Sequence, residues 1–176
     1  MDHTVVLYKI ILQACKYVIN HLQKHKTSIF FDRYHDYSIK SVTREARNVA
    51  QSSKQVKHDI NGPLPPKNVV LTNKSNKKQL IEYLVDALIN IQIPNANYKL
   101  IVTGPDPVPI EATVSGLKQR EDLKTLHEEA DMIIVSQMLS MIEEGYRQIE
   151  VISDDTDVFN TPTSFRSRKK YLLSMW

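Results

Sequence analysis

Acidic residues fall into two groups in the second half of the 176-residue chain, and a further acid lies far upstream. Glu129 and Asp131 belong to the first group, Asp155 and Asp157 to the second, and Asp32 directly follows a short apolar run. Carboxylates that lie close together raise one another's pKa, so such a cluster needs cations to compensate its charge. Hard oxygen donors without Cys or paired His favour Mg²⁺ or Mn²⁺ over zinc.

Two such ions would support a specific reaction. Held about 3.5–4 Å apart, they clamp the attacking and leaving oxygens of an in-line phosphoryl displacement and lower the pKa of a bound water. The acids therefore predict a two-ion Mg²⁺ or Mn²⁺ site and hydrolysis of a phosphodiester.

The same acids also have structural interpretations. Glu128 and Glu129 suit the first turn of a helix, whose dipole favours negative charge. Asp32 could form an ion pair with Arg33. In a regular helix Glu128 and Asp131 share a face, whereas Glu129 and Asp131 do not. The glutamate that faces a pocket therefore depends on where the helix begins.

Hydrophobic patterns predict the elements that would position these acids. Apolar spacings of three and four predict helices over residues 5–22 and 76–91, and a third helix that ends at Gly145. Asn76 with Gln79, and Thr125 with Glu128, have the spacing of capping pairs at the start of the second and third helices. Short apolar runs predict strands over residues 28–32, 98–102 and 148–152.

Strands that alternate with helices predict an α/β fold, with a parallel sheet between two helix layers. The functional crevice of such a sheet lies outside the carboxyl ends of its strands. Asp32 follows the first strand, Asp155 and Asp157 follow the third, and the helix that carries Glu129 and Asp131 would open at the same edge. We therefore expect the three acidic segments to converge.

Composition limits the classes of protein to consider. The length and the 41% hydrophobic content suffice for one domain with its own core. A lone Cys15 excludes a disulfide framework or a cysteine zinc site within one copy and fits the nucleus or cytoplasm. The apolar N-terminal residues are too interrupted for a membrane span or signal peptide, so we expect no membrane partner. The oligomeric state is not predicted.

Charge is unevenly distributed along the chain. Residues 1–78 contain fourteen Lys and Arg against five Asp and Glu, and residues 121–157 contain eleven acids against two bases. A basic half suits a bound polyanion and an acidic pocket suits a metal, although solvated surface would give the same pattern.

The acidic motifs resemble those of a known group of nucleases. His127-Glu-Glu-Ala-Asp131, followed by Val151-Ile-Ser-Asp-Asp-Thr-Asp-Val-Phe159, is similar to the paired acidic motifs of PIN-like and flap-endonuclease-like domains. Phe31-Asp-Arg-Tyr34 and the basic stretch after it resemble the family's strand-end acid and its following helix. The pattern looks closest to uncharacterised, mobile-element-associated animal proteins with a PIN-like core.

The resemblance implies a three-layer α/β/α nuclease domain that binds DNA or RNA. It implies metal ligation and catalysis by Asp32, Glu129, Asp131, Asp155 and Asp157. It also implies salt-sensitive phosphate contacts from a basic insert over about residues 40–78, made by Lys40, Arg44, Arg47, Lys54 and Lys57.

The resemblance covers roughly residues 28–159. We assign residues 1–159 to the PIN-like domain and residues 160–176 to a divergent tail, for which we expect poor order. The family's opening strand with its first acid, and its strand after Phe159, have no counterpart in the printed sequence. We therefore expect the fold to be incomplete at both edges.

Other functions remain open at this point. A degenerate, inactive module that binds nucleic acid or protein would carry the same motifs. The Asp-x-Asp of residues 155–157 also occurs in haloacid-dehalogenase-type phosphatases and metal-dependent glycosyltransferases. The nineteen residues after Asp157 are too few for a phosphatase core, and no nucleotide-sugar region is recognisable.

Overall fold

The fold is that of a computed structural model, which describes residues 7–23, 26–34, 55, 59, 61–63, 66–146, 149 and 151. Four helices, four strands and one 3₁₀ turn lie in these residues. In chain order they are α1 (Leu7–Leu22), β1 (Thr27–Phe30), α2 (Lys67–Thr72), α3 (Lys74–Ile89), β2 (Leu100–Thr103), β3 (Ile110–Thr113), β4 (Gly116–Gln119), the 3₁₀ turn (Glu121–Leu123) and α4 (Ala130–Glu143).

The four strands form one mixed sheet in the order β1-β2-β3-β4. β1 pairs parallel with β2, with Phe30 opposite Thr103. β2, β3 and β4 are successively antiparallel. The α/β class is therefore confirmed, but the prediction of an all-parallel sheet is wrong because a hairpin continues the sheet beyond β2.

The hairpin of β3 and β4 has no counterpart among the sequence predictions. Val114 and Ser115 form its turn, and Gly116 follows with φ of 119°, a conformation that favours glycine. Every residue of β4 is exposed, so the strand lacks the apolar alternation by which half-buried strands are recognised.

Helices α1 and α3 cover one face of the sheet. Leu100 and Val102 of β2 are almost fully buried against Val18 and Leu22 of α1 and Leu88 of α3. A neighbouring cluster joins the rest of α1 to α2 and α3 through the buried side chains of Leu7, Ile11, Ala14, Val70, Leu80 and Leu84. These two clusters form most of the described core.

Helix α4 lies on the opposite face. Ile29 packs against the α1 side, whereas its neighbour Phe30 packs against Ile134 and Met138 of α4. Successive side chains of a strand point to opposite faces of the sheet. Helices therefore flank the sheet on both faces, as the α/β/α prediction requires.

The predicted helix boundaries differ in accuracy. Helix α1 agrees with the prediction over the residues described. α3 begins at Lys74, where the Asn73 side chain accepts hydrogen bonds from the amides of Ser75 and Asn76. The predicted cap at Asn76 is therefore wrong. Asn76 is instead buried, and its side-chain nitrogen Nδ2 donates to the Val69 carbonyl.

The third predicted strand, the basic insert and the C-terminal tail lie partly or wholly outside the described residues. Ile149 and Val151 are described; they pack beside α4 and lie in no strand. Of the basic insert, residues 55, 59, 61–63 and 66–78 are described, and α2 and the start of α3 lie in it; the tail of residues 160–176 is not described. No helix in the described part of the chain is long and apolar enough to cross a membrane.

Candidate carboxylate site at the sheet edge

Asp32 lies just beyond the carboxyl end of β1, at the start of α4. Its Oδ1 accepts a hydrogen bond from the Ala130 amide at 2.9 Å. Ala130 is the first residue of α4, and Glu129 and Asp131 flank it directly. The fold therefore brings together two of the three acidic segments for which the sequence predicted convergence.

Asp32 acts as the side-chain cap of α4 from a distant part of the chain. Glu129 occupies the N-cap position in an extended conformation and makes no capping hydrogen bond with its side chain. The first amides of a helix lack intrahelical partners and carry partial positive charge. The Asp32 carboxylate therefore satisfies a donor and complements the helix dipole.

The predicted capping box of Thr125 and Glu128 is wrong. α4 begins at Ala130, and the Thr125 hydroxyl oxygen accepts from the His127 amide, at 3.2 Å, in a local turn. The carbonyls of Thr125 and His127 both accept from the Arg33 guanidinium, at 2.5 Å and 3.0 Å. These tertiary bonds compete with the helical pattern that the local spacing suggested.

Arg33 is buried, with 3% of its surface exposed. Its side chain also donates to the carbonyls of Gly104 and Pro107. No carboxylate of the described residues lies within ion-pair distance of it, so the suggested pairing with Asp32 is wrong there. Burial lowers the pKa of the Arg33 guanidinium from its ordinary value, and the charge of Asp106 partly opposes this effect.

The described acids do not by themselves complete a metal site. Asp32 uses Oδ1 for the helix cap, and Asp131 Oδ1 accepts from the Met132 amide at 2.7 Å. Within the described ranges, no group of three or more His, Cys, Asp or Glu side chains could hold a metal ion. Asp155 and Asp157, the two further predicted ligands, lie outside the described residues.

The predicted nucleic-acid contacts cannot be placed either. Every one of them lies outside the described residues: Lys40, Arg44, Arg47, Lys54 and Lys57.

A second cluster of charged residues holds the other end of α4 and was missed in the sequence. Arg120 lies between Glu111, Asp122 and Glu144, with nitrogen–oxygen distances of 2.5, 2.6 and 3.0 Å. Lys99 approaches Glu111 and Glu144 at 3.6 and 3.8 Å. Only the Arg120–Asp122 pair is close in sequence, so spacing offered no signal for the rest.

Hydrogen bonding, chiefly to Asp122 and then to Glu111, raises the pKa of Arg120 above its ordinary value despite partial burial. The bond to Arg120 lowers the pKa of Asp122. The bond between Arg120 and Asp122 therefore favours the charged form of both groups. The cluster joins β3 and the segment after β4 to the C-terminal end of α4.

A buried polar pair connects α4 to β2. The Gln137 side-chain nitrogen donates to the Thr103 hydroxyl oxygen at 3.2 Å, and both residues are almost fully enclosed. Gln137 Oε1 has no hydrogen-bond partner among the described residues. Since Thr103 lies at the carboxyl end of β2, this pair helps to fix α4 beneath the candidate site.

A comparison with models of known protein families gave no match, and comparisons with curated proteins and with solved structures likewise gave none.

Proposed function

We propose that the chain contains a divalent-metal-dependent, nuclease-type domain that hydrolyses phosphodiester bonds in DNA or RNA. The observation that supports this most is the hydrogen bond from the Ala130 amide to Asp32, because it holds Asp32 beside Glu129 and Asp131. Acids from two distant segments meet at the carboxyl edge of the parallel β1–β2 pair, where α/β folds bind ligands.

The proposal assigns separate tasks to the acids. Asp32 Oδ1 holds the helix start, which leaves Oδ2 to face a cation, while Glu129 and Asp131 add negative charge on either side. Since the described acids do not complete a metal site, the proposal requires Asp155 and Asp157 as further ligands. Mg²⁺ or Mn²⁺ held there would supply an activated water and stabilise charge on the phosphoryl oxygens.

Metal binding and cleavage test the proposal together. We expect the full chain to bind two Mn²⁺ ions in a calorimetric titration and to cut a flapped or single-stranded oligonucleotide. Asp155→Asn and Asp157→Asn should each lose cleavage and at least one ion. Glu82→Gln, at an exposed position of α3, is the matched control and should change neither.

Substitutions of Asp32 provide a second experiment, because they separate its capping of α4 from its proposed metal binding. Asp32→Asn keeps an oxygen that can cap α4 but removes the charge, whereas Asp32→Ala removes both. We expect both variants to lose metal affinity, and only Asp32→Ala to lose about 1 kcal/mol of unfolding free energy. Absence of metal binding to the unsubstituted chain at millimolar concentration would overturn the proposal.

The second candidate is an inactive module, derived from a mobile element, that binds nucleic acid or protein. The observation in its favour is that Asp32 and Asp131 each direct an oxygen at a backbone amide near the start of α4, as structural caps do. This candidate predicts salt-sensitive oligonucleotide binding without cleavage or metal uptake. Binding should weaken in Arg44→Gln and Lys57→Gln and persist in Asp155→Asn.

A further inference from the structure

The Arg33 guanidinium binds carbonyl oxygens in two separate segments of the chain. Its Nε donates to Gly104 at 3.1 Å and its Nη2 to Pro107 at 3.3 Å, both in the loop after β2. Its Nη1 donates to Thr125 and His127, at 2.5 Å and 3.0 Å, in the segment before α4. One side chain therefore ties the exit of β2 to the approach of α4.

The backbone of Arg33 also contacts the segment before α4. The Arg33 amide donates to the Glu128 carbonyl at 2.7 Å. One residue earlier, the Asp32 carboxylate accepts from the Ala130 amide. Contacts of residues 32 and 33 thus extend from Thr125 to Ala130, and they fix this segment against the end of β1.

The loop that Arg33 holds is itself restrained on its other side. A Cβ built on Gly104 would lie 2.8 Å from Val85 Cγ2 of α3, closer than such contacts occur in proteins. Gly104 therefore packs directly on α3, and its carbonyl is a fixed anchor for the guanidinium. Through these contacts, α3 on one face of the sheet is connected to the start of α4 on the other.

Arginine suits this task better than lysine. A planar guanidinium offers five donors in fixed directions, whereas an ammonium is a single point at the end of a flexible stem. Carbonyls in two segments are reached here by three different nitrogens. A lysine would keep the charge but could not span these acceptors.

We propose that Arg33 is the positioning residue of the carboxylate site: it holds Asp32 and the first turn of α4 in the geometry that metal binding requires. The metal-binding part of this inference rests on the proposed function. The positioning part concerns only the geometry of residues 32, 33 and 125–130 and can be tested without metal.

The first experiment is a double-mutant cycle of Arg33→Lys with Asp32→Asn, read out by Mn²⁺ affinity in the full chain. A residue that acts partly through Asp32 should lose that part of its effect when Asp32 is already substituted. We expect Arg33→Lys alone to weaken Mn²⁺ binding about 10–100-fold, as loss of an outer contact to a ligand does, and to weaken it clearly less beside Asp32→Asn, where its effect through the first turn of α4 remains.

A merely structural role would behave differently, since the affinity losses of the two substitutions would add. Arg120→Lys is the matched control, because it alters a buried arginine at the other end of α4. It should leave Mn²⁺ affinity within about twofold. An additive cycle, or full affinity in Arg33→Lys, would overturn the inference.

Hydrogen exchange in the unsubstituted chain and in Arg33→Lys tests the positioning part without metal. In the unsubstituted chain the amides of Arg33, Thr125 and Ala130 donate to Glu128, Pro107 and Asp32. If Arg33 binds these segments into one unit, the three amides should exchange with the same opening free energy.

In Arg33→Lys the three amides should exchange at least tenfold faster, while β2 amides keep their protection. Independent exchange of Ala130 in the unsubstituted chain would contradict the inference. Correlated exchange in a chain that binds no metal would retain Arg33 as the positioning residue and reject only the proposed function.

Discussion

The two ends of α4 are each held by a nearly buried arginine, but the two arginines bind opposite kinds of acceptor. Arg33, at the N-terminal end, donates to four neutral carbonyls. Arg120, at the C-terminal end, lies among three carboxylates. Burial therefore lowers the pKa of the first, while hydrogen-bonded acids raise the pKa of the second.

This difference separates positioning from charge pairing. Carbonyls belong to the backbone, so an arginine that binds four of them restrains the path of the chain itself. Carboxylates lie at the ends of side chains, and an arginine among them joins elements while its charge is compensated. Arg33 thus supports the backbone near Asp32 through carbonyls, without forming an ion pair with the described acids Asp32, Glu129 or Asp131.

The largest expected effect is on stability when each guanidinium is removed. Arg33→Met leaves the buried Gly104 carbonyl and three part-buried carbonyls without a donor and should cost about 3 kcal/mol. Arg120→Met should cost about 1–2 kcal/mol, because two of its acids are partly exposed and water can replace the lost donors. Urea unfolding of the full chain measures both values.

Lys16→Met makes the same change at an exposed position of α1 and should be nearly neutral. A smaller loss for Arg33→Met than for Arg120→Met would reverse the comparison. It would mean that the carbonyls find other donors and that the guanidinium does not restrain the backbone.

Low pH should affect the stability contributions of Arg33 and Arg120 differently. The bond to Arg120 lowers the pKa of Asp122 below its ordinary value of 3.8. Its stabilising contribution is therefore complete above the ordinary pKa and is lost as pH falls through the lowered folded-state value. Carbonyls do not titrate, so the four bonds of Arg33 keep their strength in acid.

We expect the unfolding free energy lost in Arg120→Met to shrink as pH falls from 6 to below about 3.8, and the loss in Arg33→Met to change less, because its four acceptors are carbonyls and Asp106 acts on it through charge alone. Chemical unfolding at a series of pH values measures both. Asp122→Asn should remove part of the pH dependence from the Arg120 comparison. An equal acid dependence for the two arginines would show that Arg33 depends on acids as strongly as Arg120 does.

The site illustrates which parts of a fold local sequence can predict. The meeting of Asp32 with Glu129 and Asp131 followed from the end of one strand and the presence of a helix near these acids, both of which apolar periodicity locates. The start of α4 did not follow, because Thr125 and Glu128 satisfy a local capping rule that the bonds from Arg33 override. Such bonds join residues about ninety positions apart and leave no periodic trace.

The C-terminal end of α4 shows the converse case. Gly145 was predicted to end the helix, and it does so with φ of 92°. Its amide donates to Ile142 and the Tyr146 amide to Met141, the pattern of a glycine-ended helix. That signal is local, so the sequence was sufficient to predict the end of the helix. The Arg120 cluster beside it forms only when the β3–β4 hairpin brings Arg120 next to Glu111, and the residue pattern of β4 did not predict that hairpin.

The smallest expected effect concerns Lys99, which tests whether the Arg120 cluster acts as one network. Lys99 lies 3.6 Å from Glu111 and is partly exposed, so Lys99→Met alone should cost less than about 1 kcal/mol. In the Arg120→Met background, Lys99 is the described cation that still lies within ion-pair distance of Glu111, since Lys118, which faces Glu111 across the β3–β4 ladder, forms no such pair with it among the described residues. The same substitution should then cost more, because it leaves a mostly buried carboxylate unpaired. A double-mutant cycle by urea unfolding gives this coupling, and strict additivity would show two independent ion pairs around Arg120 and Lys99.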